Sequence, residues 1–250
     1  MKTLLIIGIG AGDPDFVTLQ AAKALATVDV FFMLEKGATR DAMVELRREV
    51  CRRHAGDRPY RVVEAPSPPR ERRPADYTAC VDDLNRAKQG TFERMIADNL
   101  AEGQVGAILA WGDPSLYDST IRNVEAIAER QRLAYEVIPG ISAVQALAAR
   151  HRITLNSVAQ PVEITTGRRL AEGWPAGVDS VVVMLDGEDT WRRFAGEEID
   201  IWWGAYLGTP DEILVAGKVA DVADEIFRRR HDARKANGWI MDTYLMRKAR

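Results

Sequence analysis

Residues 4–16 read LLIIGIGAGDPDF. Four aliphatic residues, Leu4 to Ile7, run without a polar break into a glycine-rich turn, and Asp13-Pro14 then leads into a helical pattern at Phe16 to Ala26. A continuous apolar run marks a strand covered on both faces, and a helix close behind it opens a parallel crossover unit. Gly8 and Gly10 have the spacing of a dinucleotide-binding turn, whose third glycine belongs at position 13. That position is Asp13, and a carboxylate there repels a pyrophosphate that needs the backbone N–H groups of a helix N-terminus. The turn therefore speaks against nicotinamide and flavin dinucleotides.

The same device recurs twice. Val105 to Trp111 is a second apolar strand, followed by Gly112-Asp113-Pro114 as the first was followed by Gly12-Asp13-Pro14. Pro139-Gly140-Ile141-Ser142-Ala143 is a third junction, with Ser142 as a cap for a helix whose inner face carries Val144, Leu147 and Ala148. In an open parallel sheet such junctions gather at the carboxyl ends of the strands, where ligands bind. Glycine permits close backbone approach, and the acidic residues disfavour phosphate. A ligand with a cationic centre and hydroxyls matches better, and S-adenosylmethionine is one. Asp13 and Asp113 also read simply as helix caps, with Pro14 and Pro114 in the first turn.

Outward from these turns, strands are expected at Lys2 to Ile9, Asp29 to Leu34, Tyr60 to Glu64, Val105 to Trp111 and Tyr135 to Ile138, with long helical patterns between them. After the helix at Ile141 to Arg150 the texture changes. Strands dominate at Val162 to Thr166, Ser180 to Leu185, Ile199 to Tyr206, Ile213 to Val219 and Trp239 to Met246, with a helix at Asp221 to Arg230. The pattern predicts an α/β protein of two domains, 1–118 with a mostly parallel sheet and 119–250 with a mixed one. PSPPRERRP, residues 66–74, reads as a surface loop.

Composition narrows the function classes. The 250 residues are 46% hydrophobic and 28% charged, which suits a sizeable soluble core. With 34 basic against 37 acidic side chains the net charge is −3, so nothing draws the chain as a whole to nucleic acid or anionic lipid. No apolar run approaches the roughly 18 residues of a membrane span, and Leu4 to Gly12 lacks the cleavage site of a secretory signal. Cys51 and Cys80 have no partners at metal-ligand spacing, so no metal is expected, and a reducing cytoplasm fits.

Taken in order, GIGAGDPDFVTLQAAKAL (8–25), WGDPSLYDS (111–119) and VIPGISAVQALAAR (137–150) resemble the three motifs of the tetrapyrrole methylases. VFFMLEKGATRDAMVELRREVCRR (30–53), with the Pro/Arg loop behind it, resembles the deacetylating branch of that family. The resemblance implies a homodimeric enzyme with a cleft between its two domains, the first facing the tetrapyrrole and the second contributing to the S-adenosylmethionine side. It implies methylation of precorrin-5 at C-1 with release of acetate, on the route to cobalamin. Cofactor contacts carried over by position are Ala11, Gly112, Asp113, Leu116, Tyr117, Ser142 and Ala143, with Met184, Leu207 and Gly208 from VVVML and AYLGT. Ala11 stands where many relatives have proline.

Acetate release needs a general base, and Asp13 is the first candidate, with Tyr117 and Asp15 behind it. Asp13 is also expected against the substrate. Precorrins carry many carboxylates, which makes Arg70, Arg72 and Arg73 candidate substrate ligands; a solvated charge run is the plainer reading. Arg47, Arg48, Arg52 and Arg53 share a helix with Glu45 and Glu49, where intrahelical pairing is expected. Other readings stay open: a methylase of another tetrapyrrole or of a protein histidine derivative, or a nucleotide-sensing module without catalysis.

Overall fold

The computed structural model describes residues 1–35, 41–56, 58–69 and 77–248. The chain divides into two compact units, Met1–Ser142 and Ala143–Arg250.

In the first unit five strands, β1 (Lys2–Gly8), β2 (Val30–Glu35), β3 (Arg61–Pro66), β4 (Val105–Ala110) and β5 (Leu133–Ile138), form a sheet in the order β3-β2-β4-β1-β5. Every pair is parallel. The connecting helices are α1 (Leu19–Leu25), α2 (Asp41–His54), α3 (Tyr77–Asn99) and α4 (Thr120–Ala128). Right-handed crossovers decide which face each helix covers. The chain steps one way through α1 and α2 and returns the other way through α3 and α4, so the pairs lie on opposite faces.

Side-chain alternation records this. Leu5, Ile7, Phe31, Met33, Ala107 and Leu109 pack with Ala21 and Leu25 of α1 and Val50 and Cys51 of α2. Leu4, Ile6, Val30, Phe32, Ile108 and Ala110 pack with Phe92 and Ile96 of α3 and Val124 and Ile127 of α4. That is why these strands are apolar throughout instead of alternating. The direction of winding changes between β4 and β1, which makes the carboxyl ends of those two strands the switch point where ligands are taken.

The boundary expected at 118/119 is corrected by this topology. Residues 120–138 supply α4 and the edge strand β5, which pairs in parallel with β1, so they belong to the first unit.

The second unit has a mixed sheet of β6 (Val162–Thr166), β7 (Ser180–Met184), β8 (Ile199–Ala205), β9 (Ile213–Lys218) and β10 (Asp242–Lys248), in the order β6-β7-β10-β8-β9. Only β6 and β7 pair in parallel; the other pairs are antiparallel. Its helices are α5 (Ala143–His151), the single turn α6 (Gly167–Leu170) and α7 (Val219–Asn237). Helix α7 runs past the end expected at Arg230 to Asn237, where Gly238 at φ +72° ends it, and Val219, Ala223, Ile226 and Arg230 lie at helical spacing on its buried face. Trp203 is fully buried, as core filling requires. Among the described residues no helix is long and apolar enough to cross a membrane, and none form a group of three or more His, Cys, Asp and Glu able to hold a metal.

Candidate active site

Three turns meet at the carboxyl edge of the first sheet. After β1 and β4 the chain makes a short bridge: the Gly112 N–H donates to the Gly10 carbonyl at 2.8 Å, and the Gly10 N–H donates back at 3.3 Å. Both glycines have positive φ, +83° and +68° in chain order. The turn after β5 packs directly against this bridge. A Cβ on Gly140 would stand 2.1 Å from the Gly112 carbonyl oxygen, and one on Gly8 would stand 2.6 Å from the Gly140 nitrogen. The sequence places these glycines so that backbone can approach a ligand; the structure spends Gly8, Gly112 and Gly140 on letting the turns approach one another.

Asp113 is corrected in a related way. No helix begins at Pro114; α4 starts only at Thr120, where Asp118 accepts the Thr120 N–H at 2.6 Å. One Asp113 oxygen accepts the N–H of Ser115 at 2.8 Å and a short bond from the Ser115 hydroxyl, while the other accepts the Gly140 N–H at 2.8 Å. The carboxylate thus pins the second motif to the third. Burial pushes its pKa up, but the bonds from the Ser115 hydroxyl, Gly140 and the Ser115 N–H outweigh burial and hold it below the ordinary carboxylate value. It is ionised at neutral pH.

Asp13 behaves as a cap. Its side chain accepts the Asp15 N–H at 2.9 Å and starts a 3-10 turn over Pro14–Phe16, while α1 begins later with Thr18 capping through its hydroxyl. Asp15 is exposed beside Arg53. Ala11 is buried, and Leu116 is half-buried. Tyr117 is 46% exposed with φ +52°, a left-handed conformation that costs an ordinary residue about 1–2 kcal/mol. Ser142 is buried immediately before α5, and Ala143 is its first residue.

In the second unit, Met184 and Ala205 stand opposite adjacent residues of β10, Thr243 and Asp242. Strands β7 and β8 both run antiparallel to β10, so Met184 and Leu207-Gly208 come to one edge of that sheet. Each strand is followed by a left-handed residue, Leu185 at φ +56° and Tyr206 at φ +49°. Leu207 is buried against Gly204 and Leu147. The Gly208 N–H donates to Glu212 at 2.7 Å, and Glu212 also meets Arg150 of α5 at 3.0 Å.

Of the remaining candidates, Arg70, Arg72 and Arg73 lie outside the described residues. Arg48 pairs with Glu45, and Arg52 and Arg53 pair with Glu49, as helix spacing predicts. Arg47 does not join them: its Nε donates to the Leu109 carbonyl at 3.3 Å. Sequence reasoning missed it, although Val44, Arg47 and Cys51 fall at i, i+3 and i+7 on the inward stripe of α2. Burial pushes the Cys51 thiol up to about 12, so it is no nucleophile. His151 is used structurally, its Nε2–H donating to the Trp203 carbonyl at 3.0 Å.

Comparison with known proteins agrees with the topology. The sequence profile of the tetrapyrrole (corrin/porphyrin) methylases matches residues 3–223. Precorrin-6A synthase (deacetylating) of a Sinorhizobium species is 49% identical over 250 residues, spanning 99% of this chain and 96% of its own. Among solved structures, a cobalamin-synthesis-related protein, CobF, of Corynebacterium diphtheriae has a TM-score of 0.83 at 35% identity, with 99% of each chain covered. A uroporphyrin-III C-methyltransferase of Thermus thermophilus, solved with S-adenosylhomocysteine, shares the fold at a TM-score of 0.58 and 15% identity, covering 98% of this chain and 91% of its own.

Proposed function

The chain belongs to the tetrapyrrole (corrin/porphyrin) methylases, and on that basis we propose that it converts precorrin-5 to precorrin-6A, methylating C-1 and releasing acetate. The observation that carries this reading is the 49% identity, over essentially the whole of both chains, to a precorrin-6A synthase of the deacetylating kind. The Corynebacterium structure, similar over its full length, supports the same branch of cobalamin synthesis.

S-adenosylmethionine is the proposed methyl donor, and the residues at the switch point fit it by charge. Asp13 and the ionised Asp113 make that edge negative, which suits a sulfonium and opposes a diphosphate. Leu116 and Tyr117 offer apolar surface beside them. Gly112, Asp113, Leu116, Tyr117 and Ser142 of the first unit are the proposed contacts, with Ala11 behind them. Ala143, Met184, Leu207 and Gly208 are proposed from the second unit on family position. When bound, the cofactor supplies the methyl group.

The protein's task in that half-reaction is positioning, because an electron-rich tetrapyrrole carbon is itself the nucleophile; correct placement contributes about 7–11 kcal/mol of barrier lowering. Acetate release consumes one water. Its oxygen bonds to the acyl carbon, the bond from that carbon to the macrocycle breaks with the electron pair left on the ring system, and a proton passes to a base. Asp13 is the proposed base and substrate neighbour, with Tyr117 the alternative. Arg70, Arg72 and Arg73 are proposed ligands for substrate carboxylates. We further propose a cytoplasmic homodimer, which sedimentation of the purified protein tests.

The deciding experiment incubates the protein with precorrin-5 and isotopically labelled S-adenosylmethionine and analyses the product by mass. One methyl gained and one acetyl lost in the same product, with an equivalent of acetate, is the expected result. Methyl gain without acetate would assign a sister reaction, and neither change would overturn the reading.

A further inference from the structure

A cavity of about 130 Å³ opens at the carboxyl ends of β2 and β4, lined by Arg47 of α2, Lys88 of α3 and the segment Asp118, Ser119, Thr120 that leads into α4. It lies within the first unit. The turn that carries Gly112 to Tyr117 runs on into it, so one loop serves both the cofactor edge and this cavity. Asn123, from the first turn of α4, and Ser67, just beyond β3, add polar groups, while Phe32, Ile108 and Phe92 make an apolar wall.

Arg47 is the unusual feature. Its three cationic neighbours on α2 are matched to glutamates, yet among the described residues no carboxylate lies within ion-pair distance of Arg47. Its Nε is anchored on the Leu109 carbonyl. Burial pushes its pKa down, opposed only in part by the more distant Asp118. One Asp118 oxygen accepts the Thr120 N–H at 2.6 Å, and its charge offsets that of Arg47 from beyond ion-pair distance. A guanidinium drawn out of water with no counter-ion in contact among the described residues is costly, and an anion that enters beside it completes it. The planar fork favours a carboxylate, which it can grip through two parallel bonds. A volume of about 130 Å³ admits a short acid arm.

We propose that this cavity receives one peripheral carboxylate arm of the tetrapyrrole, with Arg47 as its direct ligand and Lys88, Thr120 and Asn123 lining the arm. The macrocycle is then held from the edge of the same sheet whose turns hold the cofactor, and the arm fixes which ring faces the methyl group. This rests on the reading of the substrate as a precorrin, and the test separates the two.

The variant is Arg47→Met, which keeps length and removes charge, with Arg47→Lys as its conservative partner. Charge-assisted hydrogen bonds of this kind correspond to about 10-fold to 100-fold in affinity. In Arg47→Met the KM for precorrin-5 should rise by that factor, Arg47→Lys should recover part of it, and S-adenosylhomocysteine affinity by calorimetry should stay within twofold of wild type. The melting temperature without substrate should not fall, because an unmatched charge has been removed. Turnover by wild type with an unchanged KM in Arg47→Met overturns the pocket and leaves the functional reading standing. A melting temperature lowered by several degrees, with the KM unchanged, makes Arg47 a structural tether to Leu109. If wild type does not turn over precorrin-5, the functional reading falls, and titration with uroporphyrin III judges the pocket separately: weaker binding by Arg47→Met supports it and equal binding overturns it.

Discussion

The Asp113 carboxylate accepts the Gly140 N–H at 2.8 Å, so an acidic residue of the turn after β4 fastens the turn after β5. Removing it in Asp113→Ala should cost about 1 kcal/mol in denaturant unfolding, and S-adenosylhomocysteine binding should weaken along with it. The pH dependence has a definite sign. Its folded pKa is depressed, so its contribution is complete above the unfolded value of about 3.9 and is lost as pH falls through the folded one. Asp113→Asn should therefore flatten the acid limb of the stability curve; an unaltered limb would remove Asp113 from the account.

The packed turns make a second prediction. Gly140→Ala would press a methyl group onto the Gly112 carbonyl, a backbone atom that cannot swing aside. A loss of about 1–3 kcal/mol is expected from such overpacking, together with loss of cofactor binding. Gly196→Ala is the control, since nothing stands within 4 Å of the added atom; it should be neutral or stabilising by up to about 1 kcal/mol. Equal effects of the two variants in calorimetry and unfolding would contradict the packing argument.

Asp13 separates capping from catalysis. Asn caps nearly as well as Asp, so Asp13→Asn should retain stability, whereas Asp13→Ala should lose about 0.5–2 kcal/mol. An amide cannot accept the proton. Acetate release by Asp13→Asn, followed by enzymatic acetate assay, should drop by about 10²-fold to 10⁴-fold with cofactor affinity unchanged. Wild-type release would leave Asp13 a cap alone.

In the second unit, Arg230 is 2% exposed and donates to Asp242 at 2.9 Å, to Asp189 at 3.0 Å and, through a short bond, to the Asp186 carbonyl. Asp186 also accepts from Tyr244 and Thr190, and Trp203 donates to Asp242; His231 stands beyond, 3.2 Å from Asp189. Arg230→Met leaves buried carboxylates unmatched and should cost about 3–5 kcal/mol near neutral pH. Burial already pushes the Asp242 pKa up, with Arg230 opposing it. Without the guanidinium it rises further, so the protonated form is favoured on folding and the cost should shrink as pH falls. Unfolding of the variant at pH 5 and pH 8 measures the difference; a cost that grows towards acid would refute it.

The ten strands among the described residues were legible because each announces itself locally, as an apolar run or a β-branched cluster ending in a turn. What the sequence hid is non-local. Tyr135 to Ile138 reads as a strand, but its membership of the first sheet depends on pairing with β1, and no local pattern carries that. Asp113-Pro114 reads as a cap because the cap signal lies in neighbouring residues, whereas its partner Gly140 is separated from it by a helix and a strand. Arg47 was obscured differently. Glu45 and Glu49 lie on the same helix, but two residues either side of it, a spacing that does not bring side chains together; its place on the stripe of Val44 and Cys51 shows that it points inward.

The strand orders also govern how the chain is assembled as it is synthesised. Strand β1 has both neighbours in β4 and β5, so one of its edges waits for residue 110 and the other stays open until residue 138 has emerged. In the second unit β7 and β8 never pair with each other; each pairs with β10, residues 242–248. Until that strand arrives the sheet exists only as two separate two-stranded ribbons, β6-β7 and β8-β9, neither of which is independently stable in water. Long-range pairing of this kind is slow and leaves strand edges exposed to other chains. Loss of β10 would therefore not trim an edge from the sheet; it would leave two halves with nothing to join them.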